Sequence, residues 1–446
     1  MSNTSAFRVG KVCGLLVFAC ADMAFAQASP KSSDQADLDE SPSLTIGGEV
    51  RQKFDANSNP AFGLGPTGSE GFVSTETRLA LLADWTPSQT LRAYGEIAHA
   101  SQWGREPGPR PFDESDLALV EGYVELSSTD DPGTRLKVGR QILALGSMRL
   151  SSPRNGVGIK RSFDAVRGTT NLGGTEFDAF YGREVQVGDS VFDGTSGIFG
   201  SDEEGPEFWG IYGALAEPSE RKPGFDVYYF GLGREVSQFS DVTGDETRHS
   251  LNARIHGTLD SFDYDIEGAW QFGEIAQSDI RAWGIGGDVG FTWSDVAWKP
   301  RIGLRANYAS GDGSPGDGRI ETYNPFFPAL VYFSFAIELS PSNTTGIRPS
   351  LSLRPSDDLT VELSAYATQR SSRNDAVYGP ASTPLIDAGD TTGRRVASYA
   401  NLDVVWAVTD TVEMRGSLVR INAEDSIAGA GGDDVSYGLL WISKKF

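Results

Sequence analysis

The sequence predicts an all-β protein, a transmembrane antiparallel β-barrel of about 18 strands with long extracellular loops and short periplasmic turns. Three observations carry that prediction. Runs of about ten residues alternate apolar and polar side chains, as tilted strands with one face in lipid must. Short turn-forming connections alternate with long segments rich in Gly, Pro, Asp and Ser, the asymmetry of an outer-membrane barrel. Beyond the first 26 residues nothing approaches the 18 or more apolar residues of a membrane helix.

At the amino end, Arg8 and Lys11 precede the apolar run VCGLLVFACA, and AFA stands before Gln27. A charged segment, a short apolar segment and a small-residue site read as a secretory signal cleaved after Ala26. The expected organisation is a signal at 1–26, a periplasmic segment at 27–43 and the barrel at 44–446. Cys13 and Cys20 both fall in the signal, so the mature chain has no thiol chemistry. Acylation at Cys20 is the weaker reading, because Phe18 occupies a position that such sites give to small residues. A net charge of −23 and a pI near 4.5 argue against nucleic acid as a partner.

The strands follow in order. LTIGGEVRQKF (44–54), HSLNARIHGTL (249–259) and LTVELSAYATQ (359–369) alternate with period two. In 261–273, Phe262, Tyr264, Ile266, Trp270 and Phe272 oppose Asp263, Asp265, Glu267 and Gln271. In 301–310, Ile302, Leu304, Ala306 and Tyr308 oppose Arg301, Gly303, Arg305 and Asn307. Short connections fall at 86–89, 128–133, 171–174, 216–223, near 260, at 294–295, 355–358 and 409–410. Long ones fall at 55–71, 100–116, 142–162, 185–206, 234–246, 310–344, 370–395 and 423–434, with 274–280 a short exception. Counting every apolar run gives 19 strand candidates, and the alternation of sides fails once, at LVYFSFAIEL (330–339). Assigning that run to an external loop leaves eighteen strands with both ends in the periplasm. Phe72, Trp85, Trp283, Trp293, Trp298, Trp406 and Trp441 lie near strand ends and are expected in interfacial girdles. The last run, YGLLWISKKF, is apolar on both faces, so its register stays open.

Polar faces then line the lumen. They carry Glu49, Arg51, Lys53, Glu76, Arg78, Arg92, Glu96, Glu121, Glu125, Arg254, His256, Arg301, Arg305, Arg348, Arg354, Glu362, Asp403, Glu413 and Arg415, among others. A one-residue slip would put Arg301 and Arg305 in lipid at roughly 2–4 kcal/mol each near the midplane. Each charge could pair across neighbouring strands or, where Arg exceeds acid, give the pore an anion preference. Eighteen strands leave an aqueous channel unless something fills it, and segment 142–162 is placed to fold inward. From Arg135 to Arg167 the chain has eight Lys or Arg and only Asp164 as an acid. Confined positive charge concentrates carboxylated solutes, and the planar guanidinium grips carboxylate with two bonds. Binding of lipopolysaccharide phosphates is the competing reading.

The block VGRQILALGSMRLSSPRNGVGIKRSFDAVR resembles the signature of the alginate-export outer-membrane family, and DAFYGREV (178–185), YNPFFP (323–328) and RNDAVYG (373–379) agree. The matching positions are Gly139, Arg140, Gln141, Gly146, Arg149, Leu150, Arg154, Arg161, Ser162, Phe163, Asp164 and Arg167. The resemblance implies an 18-stranded barrel with an arginine-rich constriction that passes an anionic uronate polymer. With the lumen reading it nominates Arg140, Arg149, Arg154, Lys160, Arg161, Arg167, Arg78, Arg92, Arg254, Arg301, Arg305, Arg348 and Arg354 as pore-lining. Met148 and the SSPRNG stretch depart from the family pattern.

The expected function is an outer-membrane channel for anionic polysaccharide or uronate. The runner-up is a porin for uptake of small organic anions, and a barrel enzyme or adhesin comes third. Chemistry is poorly supported. His249 and its neighbour Ser250 cannot share a strand face, and no GxSxG or HExxH motif is present. GDGSPGDG (311–318) lacks the order of a calcium loop, so neither metal nor cofactor is expected. Expected partners are outer-membrane lipid, lipopolysaccharide and the outer-membrane assembly machinery. The chain is expected to be a monomer in the outer membrane of a Gram-negative bacterium.

Overall fold

The computed structural model describes residues 42–446 except 66–69, 132, 189–204, 217, 220–221, 330 and 332. The expected signal and both cysteines lie outside the described residues. Eighteen strands make the wall. The first nine are β1 (Ser43–Asn57), β2 (Phe72–Ser88), β3 (Leu91–Trp103), β4 (Ser115–Ser127), β5 (Arg135–Gln141), β6 (Phe163–Leu172), β7 (Thr175–Glu184), β8 (Glu207–Ala216) and β9 (Gly224–Phe239). The others are β10 (Val242–Leu259), β11 (Phe262–Ile275), β12 (Ser278–Thr292), β13 (Arg301–Ala309), β14 (Thr344–Ser356), β15 (Leu359–Arg370), β16 (Arg395–Thr409), β17 (Val412–Ala423) and β18 (Val435–Lys445). Neighbours in sequence pair antiparallel, and β1 pairs with both β2 and β18, so the sheet closes with no free edge.

Alternation sorts the side chains as the sequence predicts. Arg301 and Arg305 are buried inside while Ile302 and Leu304 face outward. The final strand is settled as well. Leu439 and Trp441 point inward and Leu440 and Ile442 outward, an apolar inner face made possible because the lumen holds protein as well as water. Phe72 and Trp441 are therefore not girdle residues. Both are buried inside, whereas Trp85, Trp283, Trp293, Trp298 and Trp406 are exposed on the outer wall.

The side that carries both barrel termini has the short connections, including 173–174, 260–261, 357–358 and 410–411. One of them, 293–300, is longer than the expected two residues and closes through the Trp293 N–H on the Pro300 carbonyl at 3.0 Å. On the opposite side 234–246 is not a loop. There β9 and β10 keep pairing up to Phe239 and Val242, with a bulge between Gly244 and Glu246. The few apolar residues of this hairpin tip, Val236, Phe239 and Val242, do not alternate with period two, so no regular contrast marked it as strand. The run 330–339 forms no barrel strand among its described residues, and its Phe333 and Leu339 pack in the lumen.

Segment 142–162 and the described residues of 320–343 fold inside the barrel and meet a buried aromatic cluster. Phe327 lies 5.1 Å from Phe163 and 5.0 Å from Phe208, between ring centroids. Phe180 and Phe230 extend the cluster along the inner wall. Three of the stretches that carry the family resemblance, RSFD, DAFYG and YNPFFP, thus meet in one clasp.

Candidate functional site

Segment 142–162 crosses the lumen. It leaves β5 with the Ile142 N–H on Glu121 at 3.1 Å. Arg149 then reaches β11, with Nη1 2.8 Å from Asp265 and 3.2 Å from Glu267. The Ser152 N–H donates to the Phe327 carbonyl at 2.9 Å, joining the two inward segments. The chain next runs along β1 and β2. There Lys53 Nζ donates to the Gly156 carbonyl at 3.2 Å and Arg78 Nε to the Gly158 carbonyl at 2.9 Å. Gly156 has φ +93°, and a Cβ there would sit 3.3 Å from the Trp441 ring, so both conformation and space favour glycine. Trp441 itself lies beneath the guanidinium groups of Arg51 and Arg415, 5.3 and 5.1 Å from its ring centroid.

Every nominated cation from Arg140 to Arg167 meets acid. Arg140 grips Asp164 with two bonds of 2.8 and 3.0 Å, and Arg167 grips Asp178 with two of 2.8 and 2.9 Å. Lys160 lies 3.4 Å from Glu96, and Arg154 and Arg161 share Oε1 of Glu184 at 2.9 and 2.7 Å. The wall cations behave alike. Arg78 bridges Glu49 and Glu96, Arg92 grips Asp84, and Arg254 joins Asp226 to Asp265. Arg301 joins Asp263 to Asp288, Arg305 lies 3.6 Å from Asp288, and Arg348 lies 2.9 Å from Glu362. Arg354 sits near the periplasmic end of β14, where its backbone N–H meets the Trp298 carbonyl at 2.6 Å. Cross-strand pairing is therefore the rule along the wall, and it holds these long side chains in fixed positions.

One level departs from balance. Arg105, Arg110, Arg154, Arg161 and Arg234 gather chiefly round Asp113 and Glu184, with Glu246 also acting on Arg234 and Asp55 on Arg105. Arg110 and Arg154 both lie on the Phe112 ring, at 4.8 and 4.4 Å. Arg161 and Arg234 lie on the Phe327 ring at 5.0 and 5.8 Å, and Arg234 bonds to the Phe326 carbonyl rather than to an acid. Burial and the neighbouring Arg161 pull the Arg154 guanidinium down to about 9, a direction that reports crowded positive charge. Although burial opposes its charge, the Arg110 guanidinium holds the Asp113 carboxyl below the usual range. Arg154 also has φ +57°, a conformation costing about 1–3 kcal/mol that persists only where its surroundings enforce it. Sequence reasoning missed Arg105, Arg110, Arg234 and Phe112. The fragment GREPGPRPF (104–112) carried a signal, two arginines in a loop beside the pore mouth.

The second inward segment is tethered by Glu338. Its carboxylate accepts the Asn57 side-chain amide and the Ala61 N–H, both at 2.7 Å. Burial pushes its carboxyl up to about 7, against the pull of these donors and of Arg105 and Arg110. The docked state thus keeps a proton that the undocked state releases at the ordinary carboxylate pKa of about 4.3. The state that binds more protons weakens as pH rises, so the tether loosens between those two values and is level above the higher one. Channel flicker in planar bilayers is expected to increase from pH 5 to pH 8, and Glu338→Gln is expected to abolish the dependence. Equal slopes in both proteins would refute the assignment.

The family model described as alginate export matches residues 43–433. A search of curated proteins finds no match. Among solved structures, the barrel resembles Acinetobacter baumannii OccAB4, with a TM-score of 0.61 at 10% identity, covering 93% of this chain and 99% of that one. It also resembles Pseudomonas aeruginosa OccK2 (OpdF) in complex with glucuronate, with a TM-score of 0.58 at 10% identity, covering 90% and 98%. Pseudomonas aeruginosa OccK11 (OpdR) follows, with a TM-score of 0.56 at 11% identity, covering 92% and 98%. At such identities the likeness establishes the fold alone.

Proposed function

The chain belongs to the alginate export family, and from that premise we propose that this outer-membrane channel passes an anionic polysaccharide or uronate through an arginine-rich constriction. The observation that carries the reading is the level where five arginines gather chiefly round Asp113 and Glu184. There, positive charge is confined between low-dielectric walls, which raises the local concentration of carboxylates. Arg149 and Lys160, 13% and 25% exposed, extend the positive surface along the same segment. Paired arginines still serve a passing carboxylate, because a guanidinium offers five donors and one acid does not use them all. The remaining wall cations, Arg78, Arg92, Arg254, Arg301, Arg305, Arg348 and Arg354, act in this reading as a fixed charge lining on either side.

The test is single-channel recording. Wild type is expected to be anion-selective and to be blocked by uronate oligomers. Changing Arg149, Arg154 and Arg161 to Glu is expected to reverse the selectivity, and Lys160→Glu, at the most exposed of these positions, to shift it in the same direction without moving the segment. Cation selectivity unaffected by either change would sink the proposal. The second reading, uptake of small organic anions, draws on the likeness to a porin solved with glucuronate. Permeation by monouronate with exclusion of oligomers would favour it.

A further inference from the structure

On the outside of the barrel, away from the lumen, the wall from β12 to β16 is dented. The floor of the dent is in register across four strands. Gly287 pairs with Ala306, Ala306 with Ile347 and Ile347 with Ala367. Ile285 and Leu304 rise beside it, and together they enclose a groove of about 700 Å³. Much of the outer wall elsewhere presents Ile, Leu, Val and Trp. Apolar surface of this kind in a membrane stays dry, so hydrocarbon must fill it.

The ends of the groove are unlike. Toward the periplasm it closes at Val289 and Leu304, both apolar. Toward the outside it ends at Gln369 and Arg395, which oppose each other across β15 and β16. The Arg395 side chain is 67% exposed and lies 3.4 Å from Glu424 and 3.8 Å from Asp425, exposed pairs of the kind worth little. From Val289 to Ile285 the apolar part spans four residues, roughly 13 Å at ~3.3 Å per residue. With strands tilted by about 40° this is roughly 10 Å of depth, which fits within one leaflet of an outer-membrane barrel's ~25 Å apolar band.

We propose that this groove is a binding site for one acyl chain of the phosphorylated glycolipid of the outer leaflet, with Arg395 engaging its phosphate. Chain depth, the apolar floor and a polar end at the extracellular rim all match an amphiphile that enters head-outward. A neighbouring protein strand or helix would need a wider, flatter face. The site is independent of what the pore carries.

The test uses full-length protein extracted from outer membranes in mild detergent, with retained lipid identified by native mass spectrometry. Wild type is expected to keep one lipid A molecule per chain, and the delipidated protein to rebind purified lipid A from mixed micelles. Ala306→Trp with Ala367→Trp fills the floor and is expected to reduce retention at least ten-fold, while Ala83→Trp on the exposed outer face of β2 leaves it unchanged. Arg395→Glu, at an exposed position that cannot disturb folding, is expected to lower rebinding several-fold. Retention unchanged by both groove variants would overturn the proposal. Retention of phosphatidylethanolamine instead, or a dimer lost on filling the groove, would overturn it equally.

Discussion

Replacing Glu184 by leucine is expected to release segment 142–162 from the lumen and to raise single-channel conductance several-fold. One carboxylate oxygen of this residue receives both Arg154 and Arg161, and all three side chains are largely shielded from water. Removing one partner of a buried ion pair costs about 3–5 kcal/mol, because the remaining charge is left uncompensated. Here two guanidinium groups would be left, with Arg234 adding to the repulsion. The left-handed backbone of Arg154 would relax as soon as its side chain is freed. A rescue variant sharpens the test. Glu184→Leu combined with Arg161→Leu and Arg154→Gly removes both guanidinium groups that bond to Glu184 and places glycine where φ is positive. That protein is expected to keep the segment docked, because replacing a whole buried ion pair by apolar residues is often neutral. Conductance and limited proteolysis would both report the outcome. A Glu184→Leu channel identical to wild type in both would refute the docking role.

The wall was legible in the sequence because lipid writes it there. Along 261–273 and 301–310 the outward residues are Phe, Tyr, Ile, Trp and Leu and the inward ones Asp, Glu, Gln and Arg, a contrast that fixes register. Where lipid ends, the contrast ends, and so the hairpin tip at 234–246 read as a loop although β9 and β10 pair through it. The lumen was half legible. Its inward residues could be named, but a count of eight cations to one acid between Arg135 and Arg167 suggested bare positive charge. The neutralising acids come from far along the chain. Arg149 meets Glu267, 118 residues away, and Arg154 meets Glu184, 30 residues away. A local window cannot see such partners. Nor could it see that Arg105, Arg110 and Arg234 converge on the same level from two other segments.

Phe327→Ala is expected to undock both inward segments at once while leaving the barrel wall intact. The residue is 1% exposed and ties three things together. Its ring packs on Phe163 and Phe208 of the inner wall. Its backbone N–H donates to the Leu150 carbonyl at 3.1 Å, and its carbonyl accepts the Ser152 N–H at 2.9 Å. Its ring face carries Arg161 and Arg234. Truncating a buried Phe to Ala costs about 3–5 kcal/mol, and a segment held in an open lumen has less to lose than a strand locked into the sheet. The wall is held by ladders that the substitution does not touch, so heat-modifiable migration on gels is expected to stay unchanged while conductance and protease sensitivity of 142–162 rise together. Phe291→Ala, on the lipid-facing side of β12 and 41% exposed, serves as the control and is expected to alter neither. Ion pairs alone would keep the segment docked in Phe327→Ala, so unchanged conductance there, with Glu184→Leu open, would assign the docking to charge. Opening in both variants is the expected result, because Arg161, which Glu184 neutralises, rests on the Phe327 ring.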